Sequence, residues 1–190
     1  DYLQDEGLLC LNNAGDYVGS GGFGWTRELP TADFSGCVRT VDMWGFGESQ
    51  ETTAVSPAMF EEFVLPYQLP VLERFGLNCY GCCEPLHARW AAVRRIPRLR
   101  RVSVSPWCNV GRMAEMVQGD CILSIKPNPA VLAMDEFDED LARRQVREAL
   151  EAARGCRVEV VMKDCHTLRG DSSRVVRWTR IAREEAERAA

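Results

Sequence analysis

The sequence lacks the long apolar runs that a membrane-spanning helix requires, since no stretch approaches about 20 such residues. It also lacks a surplus of basic residues, because 23 Lys and Arg stand against 28 Asp and Glu, for a formal net charge of -5. Without a basic footprint we expect no binding to a nucleic acid backbone. The first six residues are acidic or neutral, unlike the basic start of a signal peptide. We therefore expect a cytoplasmic protein with neither membrane nor nucleic acid as partner.

The nine cysteines are odd in number and irregular in spacing, which does not fit the disulfide framework of a secreted domain. Reduced thiols or metal ligands are expected instead. Some of these residues are expected to be small buried hydrophobic side chains, namely Cys10, Cys37, Cys121 and Cys156. A length of 190 residues with 46% hydrophobic content predicts a single domain over residues 1–190. The chain has no initiator methionine, so we expect it to be part of a longer protein.

Apolar and β-branched runs alternate with segments of helical periodicity, which is typical of βα units and a parallel sheet. The predicted fold class is therefore α/β. The predicted strands are Leu8 to Leu11, Val38 to Met43, Leu77 to Gly81, Arg101 to Ser105, Ile122 to Ile125 and Val158 to Met162.

The clearest predicted helix follows Ser56, a good N-cap residue, and Pro57, which suits the first helical position. Pro66 and Pro70 lie inside the same segment, so a kink or two shorter helices are predicted. Its buried face is predicted to contain Phe60, Phe63, Val64, Tyr67, Val71 and Phe75.

Other helices are predicted from Asp135 to Arg154 and from Ser172 onward, the latter burying Val175, Trp178 and Ala182, with a solvated charged tail from Arg183 to Arg188. Short helices are predicted at Pro85 to Arg94 and at Val110 to Val117.

The segment Gly19 to Gly24 is too rich in glycine for a helix or a central strand. It lacks the Lys and Ser/Thr of a P-loop and the spacing of a dinucleotide-binding fingerprint. It is predicted to be a mobile loop.

Polar side chains gather after the predicted strands, where parallel βα units carry their reactive groups. Glu48 is a candidate acid or substrate ligand, although its segment also suits a turn before a helix. Lys126 follows a strand directly and could bind an anionic group, or be a surface lysine. The predicted substrate-binding residues are Trp44, Gln50, Trp107 and Lys126.

A cysteine cluster follows the strand that begins at Leu77. Cys82, Cys83 and Glu84 offer soft and hard metal donors within one turn, and Cys165 or His166 after the last strand could complete a site with an open position. Adjacent cysteines of an extended segment point to opposite faces, so one of the two is expected to reach the metal. Core packing is the alternative for these thiols.

Histidine is scarce, with two residues in the chain. His166, flanked by Asp164, is a candidate general acid, base or metal ligand, whereas His87 is expected to be structural. The predicted catalytic residues are His166, Glu48 and Asp164, and the predicted metal ligands are Cys82, Cys83, Glu84, His166 and Cys165.

The segment from Ser56 to Tyr67, with the pattern S-P-x-x-F-x-E-F-x-x-P-Y, the cysteine-bearing strand end and the segment before His166 together resemble the C-terminal half of uroporphyrinogen decarboxylase-like proteins. The resemblance covers roughly Val38 to Glu187. It implies a partial or complete (β/α)8 TIM barrel that lacks N-terminal strands, of the uroporphyrinogen decarboxylase/methionine synthase-like type.

That superfamily includes zinc-dependent methyltransferases, so the resemblance implies zinc and a corrinoid carried by a partner protein. In these enzymes a His-x-Cys pair and a later Cys bind zinc. If Cys82 stands at the cysteine position here, Tyr80 replaces the histidine; if Cys83 does, Gly81 replaces it. Methyl transfer between a corrinoid and a thiol or small methylated substrate is the favoured activity, because a metal-bound thiolate is held deprotonated.

Two alternatives stay open. One is a uroporphyrinogen decarboxylase-like lyase, although the N-terminal arginine-rich segment and the substrate-binding aspartate of that enzyme are missing. The other follows from the count of six predicted strands, where a full barrel has eight. A partial barrel exposes sheet edges, and a noncatalytic fragment could form a homodimer through them.

Overall fold

A five-stranded parallel sheet forms the centre of the computed structural model, which describes residues 2–190. The strands are neighbours in the order in which they occur in the chain, and all pair in parallel. This mixed α/β arrangement is compatible with part of a (β/α) barrel. The five strands are β3 (Trp44–Gly47), β4 (Leu77–Tyr80), β5 (Leu99–Val104), β6 (Ile122–Ile125) and β7 (Arg157–Val160).

Four of the six predicted strands, β4 to β7, are confirmed with shifts of one or two residues at their ends. The two N-terminal predictions are wrong. The segment from Val38 to Met43 contains a 3-10 turn at Thr40–Asp42, and the strand is the following segment, β3. The Asp42 carboxylate stabilises that turn by accepting the backbone N–H groups of Thr31 and Arg39. The segment from Leu8 to Leu11 has no regular structure.

Helices cover one face of the sheet, which we call the outer face. They are α2 (Pro57–Phe63), α3 (Leu65–Leu72), α4 (Trp90–Val93), α5 (Val110–Val117), α6 (Ala130–Ala133), α7 (Glu139–Ala152) and α8 (Ser173–Ala189), with a short α1 (Tyr2–Asp5) at the start. Alternate strand residues pack against them, including Tyr80, Val102, Val104, Leu123 and Ile125, all buried. No helix within residues 2–190 combines the length and apolar character needed to cross a bilayer.

The helix capped by Ser56 is confirmed, because the Ser56 hydroxyl accepts the backbone N–H of Met59 at 3.2 Å. The predicted break is confirmed too, since α2 ends and α3 begins at Val64. The predicted buried face is confirmed at Phe60 but is wrong at Phe63, which is 58% exposed at the end of α2, and it is wrong again beyond the break. Tyr67 is 77% exposed, whereas Leu65 is fully buried. The interruption changes the rotational register, so the apolar stripe of one continuous helix does not apply.

Helix α8 begins where predicted, but two of its predicted environments are wrong. Val175 is 41% exposed. Within the charged tail, Glu185 is only 2% exposed and accepts hydrogen bonds from the guanidinium groups of Arg143, Arg147 and Arg188. The hydrogen bond from Arg147 is the main cause that lowers the pKa of Glu185 to about 2, against the opposing effect of burial. The tail is therefore part of the packing between α7 and α8.

Two further predictions concern small or flexible residues. Cys121 is buried as expected, but Cys10 and Cys37 are exposed.

The segment predicted to be a mobile loop is an antiparallel hairpin of β1 (Ala14–Gly19) and β2 (Gly22–Trp25). Glycine is needed there for close packing, because a Cβ atom at Gly22 would lie 2.7 Å from Cζ of Arg101.

The hairpin packs on the other face of the sheet, the inner face. Its turn at Ser20 lies 3.3 Å from Ser103 of β5, measured between hydroxyl oxygens, and Gly21 approaches Val161 after β7. Val18 packs beside Phe46 of β3 in the same apolar cluster. One hairpin can reach strands at both ends of a five-stranded sheet only if the sheet curves around it. The inner face is therefore concave.

Candidate functional site

Cys82 and Cys83 follow β4, and Lys163 and Asp164 follow β7, at the carboxyl end of the sheet. In a flat sheet β4 and β7 would be separated by about 14 Å, three strand spacings. Curvature of the sheet brings the two segments into contact. Nζ of Lys163 lies 3.0 Å from Sγ of Cys82. We call these four residues the thiol site.

Distances within the thiol site place the Lys163 ammonium close to two sulfur atoms and one carboxylate. Nζ of Lys163 also lies 3.7 Å from Sγ of Cys83 and 3.3 Å from Oδ2 of Asp164. The two sulfur atoms are 3.7 Å apart, and Sγ of Cys83 lies 3.7 Å from Oδ2 of Asp164. An ammonium in this position favours the thiolate form of a neighbouring cysteine.

The two thiols differ in their electrostatic environment. Burial, followed by the hydrogen bond and charge of Cys82, raises the pKa of Cys83 to about 11, so Cys83 stays protonated at neutral pH. Burial is the largest single effect on Lys163 and lowers its pKa. The hydrogen bond from Lys163 to Cys82 and the nearby negative charges together outweigh burial, so the pKa of Lys163 is raised. Of the two sulfurs, Sγ of Cys82 is the one that the ammonium contacts more closely, at 3.0 Å against 3.7 Å for Cys83.

Buried polar groups from the loop after β4 and from β5 hold the backbone of Cys82. Glu84 is fully buried, and its carboxylate accepts the backbone N–H groups of Cys82 at 2.8 Å and Ser49 at 2.7 Å. From β5, the Ser103 hydroxyl donates to the carbonyl oxygen of Cys82 at 2.9 Å. Arg89, also buried, donates to the Ser49 hydroxyl at 3.0 Å. Glu84, a predicted metal ligand, therefore uses both carboxylate oxygens to join the loops after β3 and β4.

The donor set matches a zinc site only in part. Two sulfurs on one tetrahedral zinc with bonds of about 2.3 Å would lie about 3.8 Å apart, close to the 3.7 Å between Cys82 and Cys83. However, residues 2–190 contain no group of three or more His, Cys, Asp or Glu side chains placed to hold a metal ion. The Lys163 ammonium instead lies within 3.7 Å of both sulfurs. These residues therefore do not fit a complete zinc shell, and the zinc prediction stays a prediction.

The remaining predicted site residues differ in their exposure and in the contacts that they make. Cys165 is exposed, with Sγ 3.8 Å from the carbonyl oxygen of Lys163. His166 is exposed and forms no hydrogen bond with any residue from 2 to 190. Trp107 after β5 is 71% exposed. Glu48 is partly buried, and its carbonyl oxygen accepts the Gln68 side-chain amide.

Gln50 lies after β3, and Trp44 lies within it. Gln50 lies in a 3-10 turn after β3, and its side-chain amide donates to the Glu51 carboxylate at 3.4 Å. Its substrate-binding role stays a prediction. Trp44 is the first residue of β3 rather than a residue after a strand, and it is buried beneath the hairpin. The sequence misplaced Trp44 because the strand itself was assigned too early.

Lys126 follows β6 and is 3% exposed. Its ammonium donates to the carbonyl oxygen of Ser124 at 3.2 Å and to the Ser124 hydroxyl. Burial is the main cause that lowers its pKa to about 8. The alternative prediction of a surface lysine is therefore wrong, and the side chain lies on the inner face.

Sequence reasoning missed Lys163 and Arg101 as site residues. A signal for the first was present, because the chain contains two lysines, Lys126 and Lys163, whereas arginine supplies every other basic side chain. Both lysines lie at the carboxyl end of the curved sheet. For Arg101 the signal was the alternation of Arg101 and Ser103 with Val102 and Val104, which marks one polar and one apolar face.

Comparisons with known proteins add no family to these observations. The sequence matches no family model, and neither a curated protein nor a solved structure is similar enough to count as a match.

Proposed function

We propose that this chain is part of a barrel enzyme related to the uroporphyrinogen decarboxylase-like superfamily, and that it transfers a methyl group by way of the Cys82 thiolate. The observation that carries the proposal is the 3.0 Å contact between Nζ of Lys163 and Sγ of Cys82 at the carboxyl end of a curved parallel sheet. Active sites of (β/α) barrels lie at that end. A thiolate is also the nucleophilic form of cysteine.

The proposed reaction is a nucleophilic substitution at the methyl carbon. A bond forms between Sγ of Cys82 and the carbon, and the bond to the leaving group breaks, so the leaving group keeps the electron pair. Lys163 stabilises the thiolate before attack and supplies a proton to a leaving group that needs one. Asp164, 3.3 Å from the ammonium, balances the charge of Lys163 until that proton is given up. The resemblance implies a corrinoid on a partner protein as the methyl donor.

The test uses the full chain with methylcobalamin as the probe, followed by its visible spectrum and by peptide mass spectrometry. We expect a change of cobalt state together with a methyl group on the peptide that contains Cys82. Cys82→Ser is expected to abolish both signals, whereas the adjacent control Cys83→Ser retains them. An unchanged spectrum with every thiol acceptor added, or equal activity in Cys82→Ser, would refute the proposal.

Zinc has no role in this proposal. Metal analysis distinguishes a site in which zinc binds the two thiolates from one in which the Lys163 ammonium contacts Cys82. Zinc that copurifies with the protein and disappears in a Cys82→Ser, Cys83→Ser double variant would replace Lys163 as the partner of the thiolates. Zinc-free protein that still methylates Cys82 supports the ammonium.

A further inference from the structure

A row of polar side chains crosses the inner face beneath the hairpin. It consists of Arg101 and Ser103 on β5, Ser124 on β6, Lys126 after β6 and Glu159 on β7, and we call it the inner polar row. Ser103 is paired in register with Ser124, and Ser124 with Glu159. Arg101, Ser103, Ser124 and Lys126 are each at most 3% exposed.

Several donors near this row have no acceptor. Within residues 2–190, Nη2 of Arg101 and Nε1 of Trp44 are buried without a hydrogen-bond partner. The two groups are neighbours, because the Arg101 guanidinium lies 5.3 Å from the Trp44 ring centroid. Lys126 has three N–H groups but donates only to two oxygens of Ser124. Buried donors without acceptors are rare in folded proteins and call for an explanation.

The charges of the row are also unequal. Arg101 and Lys126 are two buried cations, and among residues 2–190 Glu159 is the one carboxylate within ion-pair distance of either. Oε1 of Glu159 accepts a hydrogen bond from the Ser124 hydroxyl and lies 3.6 Å from Nη1 of Arg101. A buried charge is costly unless it is paired, so the row lacks one negative charge.

We propose that the inner polar row binds the carboxylate group of a small organic acid. A carboxylate supplies the single missing charge, and its two oxygens can accept from two different cations. A phosphate group carries more charge and more acceptors than Arg101, Lys126 and Trp44 can satisfy. The Arg101 guanidinium already uses Nε for Sγ of Cys79 and Nη1 for the carbonyl oxygen of Phe23, which leaves Nη2 for the ligand.

The location of the row connects this binding site with the thiol site, and this step rests on the proposed function. Ser103 belongs to the row and donates to the carbonyl oxygen of Cys82. The bound carboxylate would therefore lie one or two strand spacings, about 5 to 10 Å, from Cys82. The proposed substrate is an acid that is only a few bonds long, with its reacting carbon at the sulfur.

The two lysines make a direct experiment possible. Protein labelled with ¹³C at the lysine Cε atoms gives two lysine resonances, which Lys126→Met and Lys163→Met assign. Acetate is titrated at constant ionic strength against sodium chloride, with inorganic phosphate as the comparison anion. We expect saturable movement of the Lys126 resonance with acetate, and at least tenfold weaker binding of phosphate.

Two substitutions with opposite expected signs test the charge argument. Glu159→Gln removes the internal carboxylate and should tighten acetate binding several-fold. Lys126→Met should weaken it at least tenfold, observed as the loss of the acetate-induced rise in melting temperature. An acetate effect no larger than that of chloride, or unchanged affinity in both variants, would mean that water fills the site and would overturn the proposal. Equal binding of phosphate would overturn the assignment to a carboxylate.

The same samples separate this inference from the proposed function. Alkylation of Cys82 by iodoacetamide reports on the thiol site alone, and Lys126→Met should leave its rate within about twofold. Acetate binding by a protein with an unreactive Cys82 would support the carboxylate site and refute methyl transfer by the thiolate. A reactive Cys82 in a protein that does not bind acetate would refute the carboxylate site and leave methyl transfer by the thiolate supported.

Discussion

Two clusters of buried charge show how differently this fold treats its cations. Between α7 and α8, one carboxylate, Glu185, is surrounded by three arginines that also reach solvent, since Arg147 and Arg188 keep 46% and 62% of their side chains exposed. On the inner face, Lys126 is buried with no carboxylate within ion-pair distance in the described part of the chain. The first cluster stabilises the fold, whereas the second places a charge where the fold alone gains nothing from it. Such a residue is expected at a binding site.

Replacement of Lys126 by methionine should give the largest effect, and in an unusual direction. Because burial lowers its pKa from 10.5 to about 8, the charged form destabilises the folded state at all pH values below 8. Lys126→Met should therefore raise the free energy of unfolding by about 3 kcal/mol at pH 7, at 1.36 kcal/mol for each pKa unit. Denaturant unfolding measures this.

The pH dependence supplies the control for Lys126. In the wild-type protein stability should rise between pH 8 and 10.5, where the unfolded chain binds the proton and the folded chain has lost it. Lys126→Met should lose this rise. A variant that is less stable than wild type at pH 7 would contradict the account.

Loss of the Lys163 ammonium should slow Cys82 chemistry with little change in stability. An ammonium 3.0 Å from Sγ of Cys82 favours the thiolate form, so Lys163→Met should slow iodoacetamide alkylation of Cys82 several-fold at neutral pH. Lys163→Arg keeps the charge and is the matched control, expected to lose much less. Site-resolved mass spectrometry follows Cys82 separately from the other thiols. Equal rates in Lys163→Met and wild type would show that the ammonium does not activate this sulfur.

Glu185→Gln tests the stabilising cluster and should have the opposite sign to Lys126→Met. The pKa of Glu185 is lowered from 4.5 to about 2, so its contribution is present above pH 4.5 and is lost as the pH falls through 2. Because its arginine partners are partly exposed, water screens the pairs, and we expect a loss of about 1 to 2 kcal/mol at neutral pH. Unfolding measured from pH 6 to pH 2 should show a flatter profile for the variant. Cys82 alkylation is expected to be unaffected.

The smallest effect is expected for His166→Ala. His166 is exposed and has no hydrogen-bond partner among residues 2–190, so the rate of Cys82 alkylation should change less than twofold. Stability should change by less than about 0.5 kcal/mol, as for other exposed residues. A tenfold loss of methyl transfer in this variant would restore His166 to the catalytic set.

The sequence predicted the elements that depend on local pattern. Ile122 to Ile125 and Val110 to Val117 have apolar spacing that their own segments explain, and Ser56 with Pro57 marks a helix start without reference to the rest of the fold. Tertiary packing decided the failures. Gly19 to Gly24 became a hairpin because Arg101 and Phe46, distant in the chain, require glycine opposite them.

The site was predicted in part for the same reason. Cys82, Cys83 and Asp164 were identified from their position after strands, and these three do lie together. The pairing of Cys82 with Lys163 depends on sheet curvature, which no local pattern encodes. The proposed role of Arg101 in binding depends on its Nη2 donor, which is buried without an acceptor. Only the packed structure reveals this.

The hairpin occupies the space that the curved sheet encloses, and its turn rests on Ser103 and beside Lys163. Under the proposed function, the length and composition of this turn would set the room for a substrate near Cys82. Under the same proposal, a longer or bulkier turn would admit only smaller acids beside Cys82, and a shorter turn would admit larger acids, with no change in the reacting groups.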